Sequence, residues 1–333
     1  MGLFTIIYAI ICFCILIMAH EVGHFVAAKL TGVQVNELSL GMGPLVLKHQ
    51  GKETMYSIRL LPIGGFCSME GEDEESDNVR AFNNKSSLQK AFIVVAGALM
   101  NLLLTIVILS CIAGYVGVGT TTIDEVSPEG TAYAAGLKEG DKIIEMERSK
   151  VCFFSDVRTL IQQSDGEVDL VLLRGDRKVY TTVPVEKNEQ GVPVIGITVE
   201  ASKNPVTAIH CGLRSTVRMG QQMLQYFGNL FTGKTSVSDL TGPVGIVSAI
   251  GVQAQRGFLY VANLMALINL NLAIINMLPL PALDGGRFLI ILINAVTGKA
   301  ISEELEGKIH FAGMMLLFCL AAYVLVQDVG RLM

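Results

Sequence analysis

His20 and His24 stand four residues apart with Glu21 beside the first, a His-Glu-x-x-His run. On a helix this spacing places both imidazoles on one face, one turn apart, where they can share a zinc ion while the glutamate serves as base. A catalytic zinc commonly takes a third protein ligand and keeps its fourth position for water, so an Asp or Glu oxygen must come from elsewhere in the chain. Asp284 is a candidate. Pro279 and Pro281 stop any regular helix ahead of it, and Gly285 and Gly286, which follow, let the backbone turn sharply. The same position suits an N-cap for the next helix, so position alone leaves Asp284 between the two roles.

These residues lie inside or at the lip of apolar stretches. The run Met1 to Ala19 has no charge and continues helically into His20, and Ala91 to Gly119, Gly257 to Leu283 and Ile309 to Gln327 are each near or above the ~20 residues a bilayer core requires. With 51% hydrophobic and 17% charged residues among 333, the chain is too apolar for an ordinary soluble enzyme and too charged in its middle to be all membrane. The expectation is a polytopic α-helical membrane protein with four transmembrane helices and an inserted soluble domain. Ionisable groups at membrane depth are costly enough to mark function. The first stretch lacks a basic leader and a cleavage site, so it is expected to remain in the mature protein. The apolar run Phe288 to Gly298 is too short to span and reads as a re-entrant or interfacial helix.

Basic residues set the expected orientation. Lys48, Lys52, Arg59, Arg80, Lys85 and Lys90 lie between the first two spans, Arg287, Lys299 and Lys308 between the last two, and none precedes the first. Both loops are expected in the cytoplasm, with the termini and the soluble domain outside and the site toward the cytoplasmic leaflet. A net charge of −5 without a basic face gives no sign of a nucleic-acid partner. The acidic run Glu70 to Asp77 reads as a solvated loop. Seven cysteines, an odd number without Cys-x-x-Cys pairs, read as packing residues, and none is assigned to the metal.

Val33, Val35, Leu38 and Leu40 alternate, the glycines of Gly41-Met42-Gly43-Pro44 follow, and Met55 to Leu61 is again strand-like, so a membrane-associated β-hairpin or small sheet is expected on the cytoplasmic face. It would be either a cover over the site or a substrate-binding edge. From Val118 to Val199, short β runs (Val168 to Leu173, Tyr180 to Val185, Val194 to Val199) and one helix candidate, Phe154 to Gln163, mark an extracytoplasmic α+β domain. Its Val126-Ser127-Pro128 and Ala135-Gly136-Leu137-Lys138-Glu139-Gly140-Asp141-Lys142-Ile143-Ile144 resemble the signature of PDZ domains, which receive an extended peptide or C-terminus along a sheet edge. Val206, Ile209, Leu213, Val217, Leu224, Phe227 and Phe231 recur at helical spacing, an amphipathic helix for the outer membrane face or for packing on that domain. The expected segments are 1–30, the first span; 31–87, the β region and acidic loop; 88–117, the second span; and 118–200, the PDZ domain. They continue with 201–256, the amphipathic helix and linker; 257–283, the third span; 284–307, the Leu-Asp-Gly turn and short helix; and 308–330, the fourth span.

His20-Glu21-x-x-His24 together with Asn276-x-x-Pro279-x-Pro281-x-Leu283-Asp284-Gly285 resembles the site-2 protease family of intramembrane zinc metalloproteases (peptidase family M50B), and the single PDZ insertion points to its bacterial RseP/RasP-like branch. The likeness extends through Gly41-Met42-Gly43-Pro44, Pro62-Ile63-Gly64-Gly65-Phe66, Ala96-Gly97-Ala98-Leu99-Met100-Asn101 and Thr241-Gly242-Pro243-Val244-Gly245-Ile246. It implies zinc on His20, His24 and Asp284, Glu21 as catalytic base, and Asn271 and Asn276 binding the substrate segment, with Gly41, Gly43 and Asn101 as further substrate contacts. It also implies cleavage of the transmembrane segments of single-span membrane proteins, such as anti-sigma factors already trimmed by another protease or remnant signal peptides. On residue type alone, either amide could equally join helix to helix. Two features depart from the family pattern: Ala98 stands where proline is usual, and one PDZ domain stands where proteobacterial members carry two.

Two rival readings keep the membrane but not the protease. A proteolytically inactive, membrane-anchored PDZ scaffold has no need of Glu21 beside two imidazoles. A metal transporter usually shows repeated halves and several polar clusters along a path, and no such repeat is visible.

Overall fold

The structure is a computed structural model that describes residues 3–72, 74, 76–234, 242–298 and 303–332. Helix α1 (Leu3–Leu30) carries the first apolar stretch without interruption. Ala9, Cys12, Leu16, His20, Gly23, His24, Ala27 and Ala28 are its buried positions, one stripe along the helix that turns both histidines inward. Phe4, Ile7, Ile11 and Ile15 face outward.

Strands β1 (Val35–Gln50) and β2 (Met55–Met69) pair as an antiparallel hairpin. The second runs on past Leu61, where the sequence pattern ends, because Gly41, Gly43 and Gly64 take φ values of 86°, 84° and 86° and bulge the ladder rather than end it. Met42, Leu45, Val46, Leu47, Ile58, Leu60 and Leu61 are exposed along this hairpin. The acidic run is no simple solvated loop. Glu70 accepts hydrogen bonds from Asn36 Nδ2 at 2.8 Å and Ser76 Oγ at 2.7 Å, and Glu72 pairs with Arg287. Asp73 and Glu75 of that run lie outside the described residues. Helix α2 (Ser87–Val116) continues as one helix through Ala98, which is buried.

Contacts divide the chain into two compact units, Met1–Ile108 with Ser215–Met333, and Leu109–Arg214. The second unit holds β3 (Val118–Val126), α3 (Thr131–Ala134), β4 (Lys142–Met146), β5 (Ser149–Lys150), α4 (Phe154–Gln163), β6 (Glu167–Arg174), β7 (Arg177–Pro184), β8 (Glu186–Lys187), β9 (Pro193–Val194) and β10 (Ile197–Ser202). Its main sheet runs β10-β3-β4-β6-β7 with β5 beside β4, around a core of Ile123, Ile143, Met146, Val157, Leu170 and Leu172. The stretch expected as one strand over Val194 to Val199 is two, split where Gly196 takes φ 79°. Asp141 is 1% exposed and takes two bonds from Arg174, Nε at 2.8 Å and Nη2 at 2.7 Å. Burial pushes its carboxyl up, but the guanidinium and the Lys138 N–H outweigh burial and hold it below the usual carboxylate range.

Helix α5 (Pro205–Phe231) is the expected amphipathic helix. Helix α6 (Pro243–Arg256) forms where a linker was expected. The start of α6 leaves backbone N–H groups without helical partners, and the buried carboxylate of Asp328 answers two of them, Gly242 at 3.2 Å and Gly245 at 2.9 Å. Helix α7 (Phe258–Asn276) stops short of the Leu283 limit expected for this span. Helix α8 (Asp284–Thr297) begins ahead of Phe288, and α9 (Glu303–Leu332) closes the chain. Thr241 and Lys299 lie outside the described residues. Among the described residues, four helical stretches are long and apolar enough to cross a membrane: Phe4–Leu30, Ser87–Val116, Phe258–Asn276 and Leu305–Asp328.

Candidate metal centre

The Nε2 atoms of His20 and His24 stand 3.2 Å apart, and Asp284 Oδ2 lies 3.1 Å from the first and 3.4 Å from the second. Three ligand atoms bound tetrahedrally to one zinc at roughly 2.0–2.2 Å would stand about 3.3–3.6 Å from each other, against the 3.1–3.4 Å found here. The triangle is close to that size. Asp284 Oδ2 is buried and makes no well-formed hydrogen bond, a situation that a cation relieves. The donor set, two imidazoles and a carboxylate, is that of a catalytic zinc site, so these residues fit the metal.

Helix α2 shapes the histidine side of the centre. His24 Nδ1 lies 2.9 Å from the Ile93 carbonyl oxygen, which can only accept, so the ring proton sits on Nδ1 and Nε2 presents its lone pair. Gly97, one turn further, makes room for both rings: a Cβ there would meet His24 Nε2 and stand 2.6 Å from His20 Cε1.

Asp284 arrives by a backbone route of its own. After α7 ends at Asn276, the chain is held by Leu278 N–H to Ile275 O (2.9 Å), Leu280 N–H to Leu278 O (2.7 Å) and Leu283 N–H to Leu280 O (3.2 Å). The sharp turn expected of Gly285 and Gly286 falls instead on Ala282, at φ 71°. The two glycines lie in the first turn of α8 and permit close packing, since a Cβ on Gly285 would stand 2.5 Å from Met277 O and one on Gly286 2.8 Å from Leu280 C. The N-cap of α8 is Leu283, with no side-chain capping bond, so the Asp284 carboxylate is not used as a cap.

Glu21, His20, Asn276, Asp284, Gly64 and Gly65 line one cavity of about 230 Å³. Asn276 Nδ2 stands 3.3 Å from His20 Nε2. Asn271 is elsewhere: it lines a cavity of about 510 Å³ with Tyr226, Phe227 and Leu320, and its buried Oδ1 has no hydrogen-bond partner there. Asn101, expected among the substrate contacts, is instead 0% exposed, beside His20. Its backbone oxygen and Thr105 Oγ1 both accept from Asn269 Nδ2, at 2.5 and 3.0 Å, which ties α2 to α7. Gly41 and Gly43, also expected to contact substrate, sit at bulges facing the Leu61 region of β2, and the glycines beside Glu21 are Gly64 and Gly65. The polar set was foreshadowed by Gly97, Asn101 and Thr105 recurring every four residues in an apolar helix.

Cys67 on β2 is close enough for its thiol to feel the Glu21 carboxylate. Burial first, then the Glu72 and Glu21 carboxylates, push it up to about 12, and Cys67 is not part of the cluster formed by the His20, His24 and Asp284 ligand atoms.

Residues 8–320 match the sequence model of peptidase family M50. A protein of Clostridium acetobutylicum is 37% identical over 99% of this chain and 98% of its own length. The zinc metalloprotease RasP of Geobacillus kaustophilus is 31% identical over 98% of each chain, and the regulator of sigma-W protease RasP of Bacillus subtilis is 27% identical over 98% of this chain and 99% of that one. Among solved structures, the PDZ domain of an SdrC-like protein of Listeria monocytogenes is 23% identical, covering 25% of this chain and 86% of that one, with a TM-score of 0.22. The chain belongs to peptidase family M50, as a multi-pass membrane zinc metalloprotease.

Proposed function

We propose that this chain is a site-2-type endopeptidase that cuts single-span membrane proteins within their transmembrane segments. The observation that carries the reading is the approach of Asp284 Oδ2 to both histidine Nε2 atoms, 3.1 and 3.4 Å, from a distant part of the sequence. His20, His24 and Asp284 would hold zinc, which when bound polarises a peptide carbonyl and lowers the pKa of a water from about 15.7 toward ~7. Glu21, in the same cavity, accepts the proton at its carboxylate and returns it to the leaving amine.

A helical substrate hides its carbonyls in i to i+4 hydrogen bonds, so it must be unwound and its bonds replaced. Asn276, the last residue of α7, offers its amide to the unwound strand at the cavity wall. Asn271 acts further along the substrate segment, in its own cavity. The soluble unit is a PDZ domain outside the bacterial plasma membrane that receives a peptide or C-terminus and admits trimmed substrates, anti-sigma factors or remnant signal peptides among them. The catalytic residues face the cytoplasmic leaflet, by the placement of lysine and arginine.

Glu21→Gln is expected to keep zinc and to stop cleavage of a transmembrane reporter; cleavage at the wild-type rate would remove Glu21 as base. A scaffold without peptidase activity would give no fragments from a helix-destabilised transmembrane peptide even with the wild-type chain. Deleting residues 120 to 200 is expected to permit cleavage of untrimmed substrate.

A further inference from the structure

The turn that delivers Asp284 is gripped from α9. Ala282 adopts φ 71°, a left-handed conformation that an alanine keeps only where its surroundings hold it. Its N–H donates to His310 Nδ1 at 3.0 Å. Glu306 Oε1, one helical turn back, lies 3.7 Å from His310 Nε2 and favours the proton there, which leaves Nδ1 free to accept. Gly313, three residues on along the same face of α9, carries no side chain, and a Cβ there would stand 2.6 Å from the Pro281 oxygen. On the other side of Asp284, Gly285 and Gly286 pin α8 against the backbone of Met277 to Pro281. The carboxylate thus hangs between a packed helix start and a strained turn, and the strained turn is tied to His310.

We propose that His310 is a positioning residue for the metal centre: by holding Ala282 in its left-handed conformation, with Gly313 allowing the close approach, it fixes where Asp284 Oδ2 stands relative to the two histidines. Helix α9 then helps set how tightly the site holds its metal. This rests on Asp284 being a zinc ligand. His310 touches neither substrate nor the histidines; it acts through the backbone of the turn.

The test is chelator competition for zinc on the purified full-length chain, comparing wild type with His310→Ala, His310→Asn and Gly313→Ala, alongside thermal unfolding of the zinc-free proteins. Contacts that orient metal ligands change affinity by roughly 10–100-fold, and this indirect one is expected at about tenfold for His310→Ala and for Gly313→Ala, with unfolding of the zinc-free protein unchanged. In His310→Asn the side-chain oxygen can take the place of Nδ1, so zinc affinity is expected within about threefold of wild type. Wild-type affinity in His310→Ala, or an equal loss in His310→Ala and His310→Asn, would overturn the inference. Failure of the wild-type chain to bind zinc stoichiometrically would overturn the metalloprotease reading, and this inference with it.

Discussion

The side-chain amide of Asn101 stands 3.4 Å from His20 Nδ1, in a place wholly closed to solvent. For His20 to present its Nε2 lone pair to a metal, Nδ1 must carry the proton and needs an acceptor. Asn101 Oδ1, which is buried and has no hydrogen-bond partner, is that acceptor once the amide is turned over, an exchange of oxygen and nitrogen that leaves its shape unchanged. Asn101→Leu is expected to weaken zinc binding by about tenfold while Asn101→Asp largely preserves it, both measured by chelator competition. A change in KM for substrate with zinc affinity intact would assign Asn101 to substrate instead.

Gly97 admits no side chain beside the two imidazoles. Gly97→Ala is a favourable change for helix propensity, yet it forces backbone or ring displacement at the centre. The expected outcome is loss of zinc and of peptidase turnover with helical content by circular dichroism unchanged; a fully loaded, active Gly97→Ala chain would show that α2 stands further from the histidines than described.

Asn276 sits where α7 breaks, within 3.3 Å of His20 Nε2, without being one of the three ligand residues. Asn276→Ala is expected to lower kcat/KM for a transmembrane peptide by roughly tenfold to a hundredfold, the loss of one hydrogen bond of about 1.5–3 kcal/mol to a polarised group, while zinc content stays at one per chain. Unaltered processing of several substrates would argue for a structural role.

Where side-chain type and helical spacing decide the outcome, the sequence was legible. The His-Glu-x-x-His spacing put both imidazoles on one helix face, helices form over all four apolar stretches although the third ends at Asn276 rather than Leu283, the helix Phe154 to Gln163 stands where its pattern places it, and the prolines after Asn276 break the helix. Backbone detail was not legible. Nothing in the order Pro281-Ala282-Leu283-Asp284 says that the left-handed residue is the alanine and that the glycines serve close packing, because both follow from the bodies packed on either side. The bond of Glu70 to Asn36 and the pairing of Glu72 with Arg287 depend on partners remote in sequence, which no local pattern reveals.

In the unit Leu109–Arg214, Arg174 is the partner of a carboxylate that is almost fully buried. Removing one partner of a buried pair leaves the other charge uncompensated, so Arg174→Leu is expected to destabilise this unit. The Asp141 carboxyl lies below its unfolded value, so the stabilisation it gives is complete above about pH 4 and fades as pH falls through the folded value. Acid unfolding followed on the wild-type chain should therefore show a steeper loss of this unit than in Arg174→Leu; identical acid profiles would contradict the pairing.

The most direct measurement of the central claim is zinc X-ray absorption on the purified wild-type chain beside Asp284→Ala. The account expects one zinc per wild-type chain, surrounded by two imidazoles and oxygen at about 2.0–2.2 Å without sulfur near ~2.3 Å, and an Asp284→Ala chain with zinc depleted or its oxygen shell reduced. Identical spectra at full zinc occupancy in both chains, or a sulfur shell in the wild type, would contradict it.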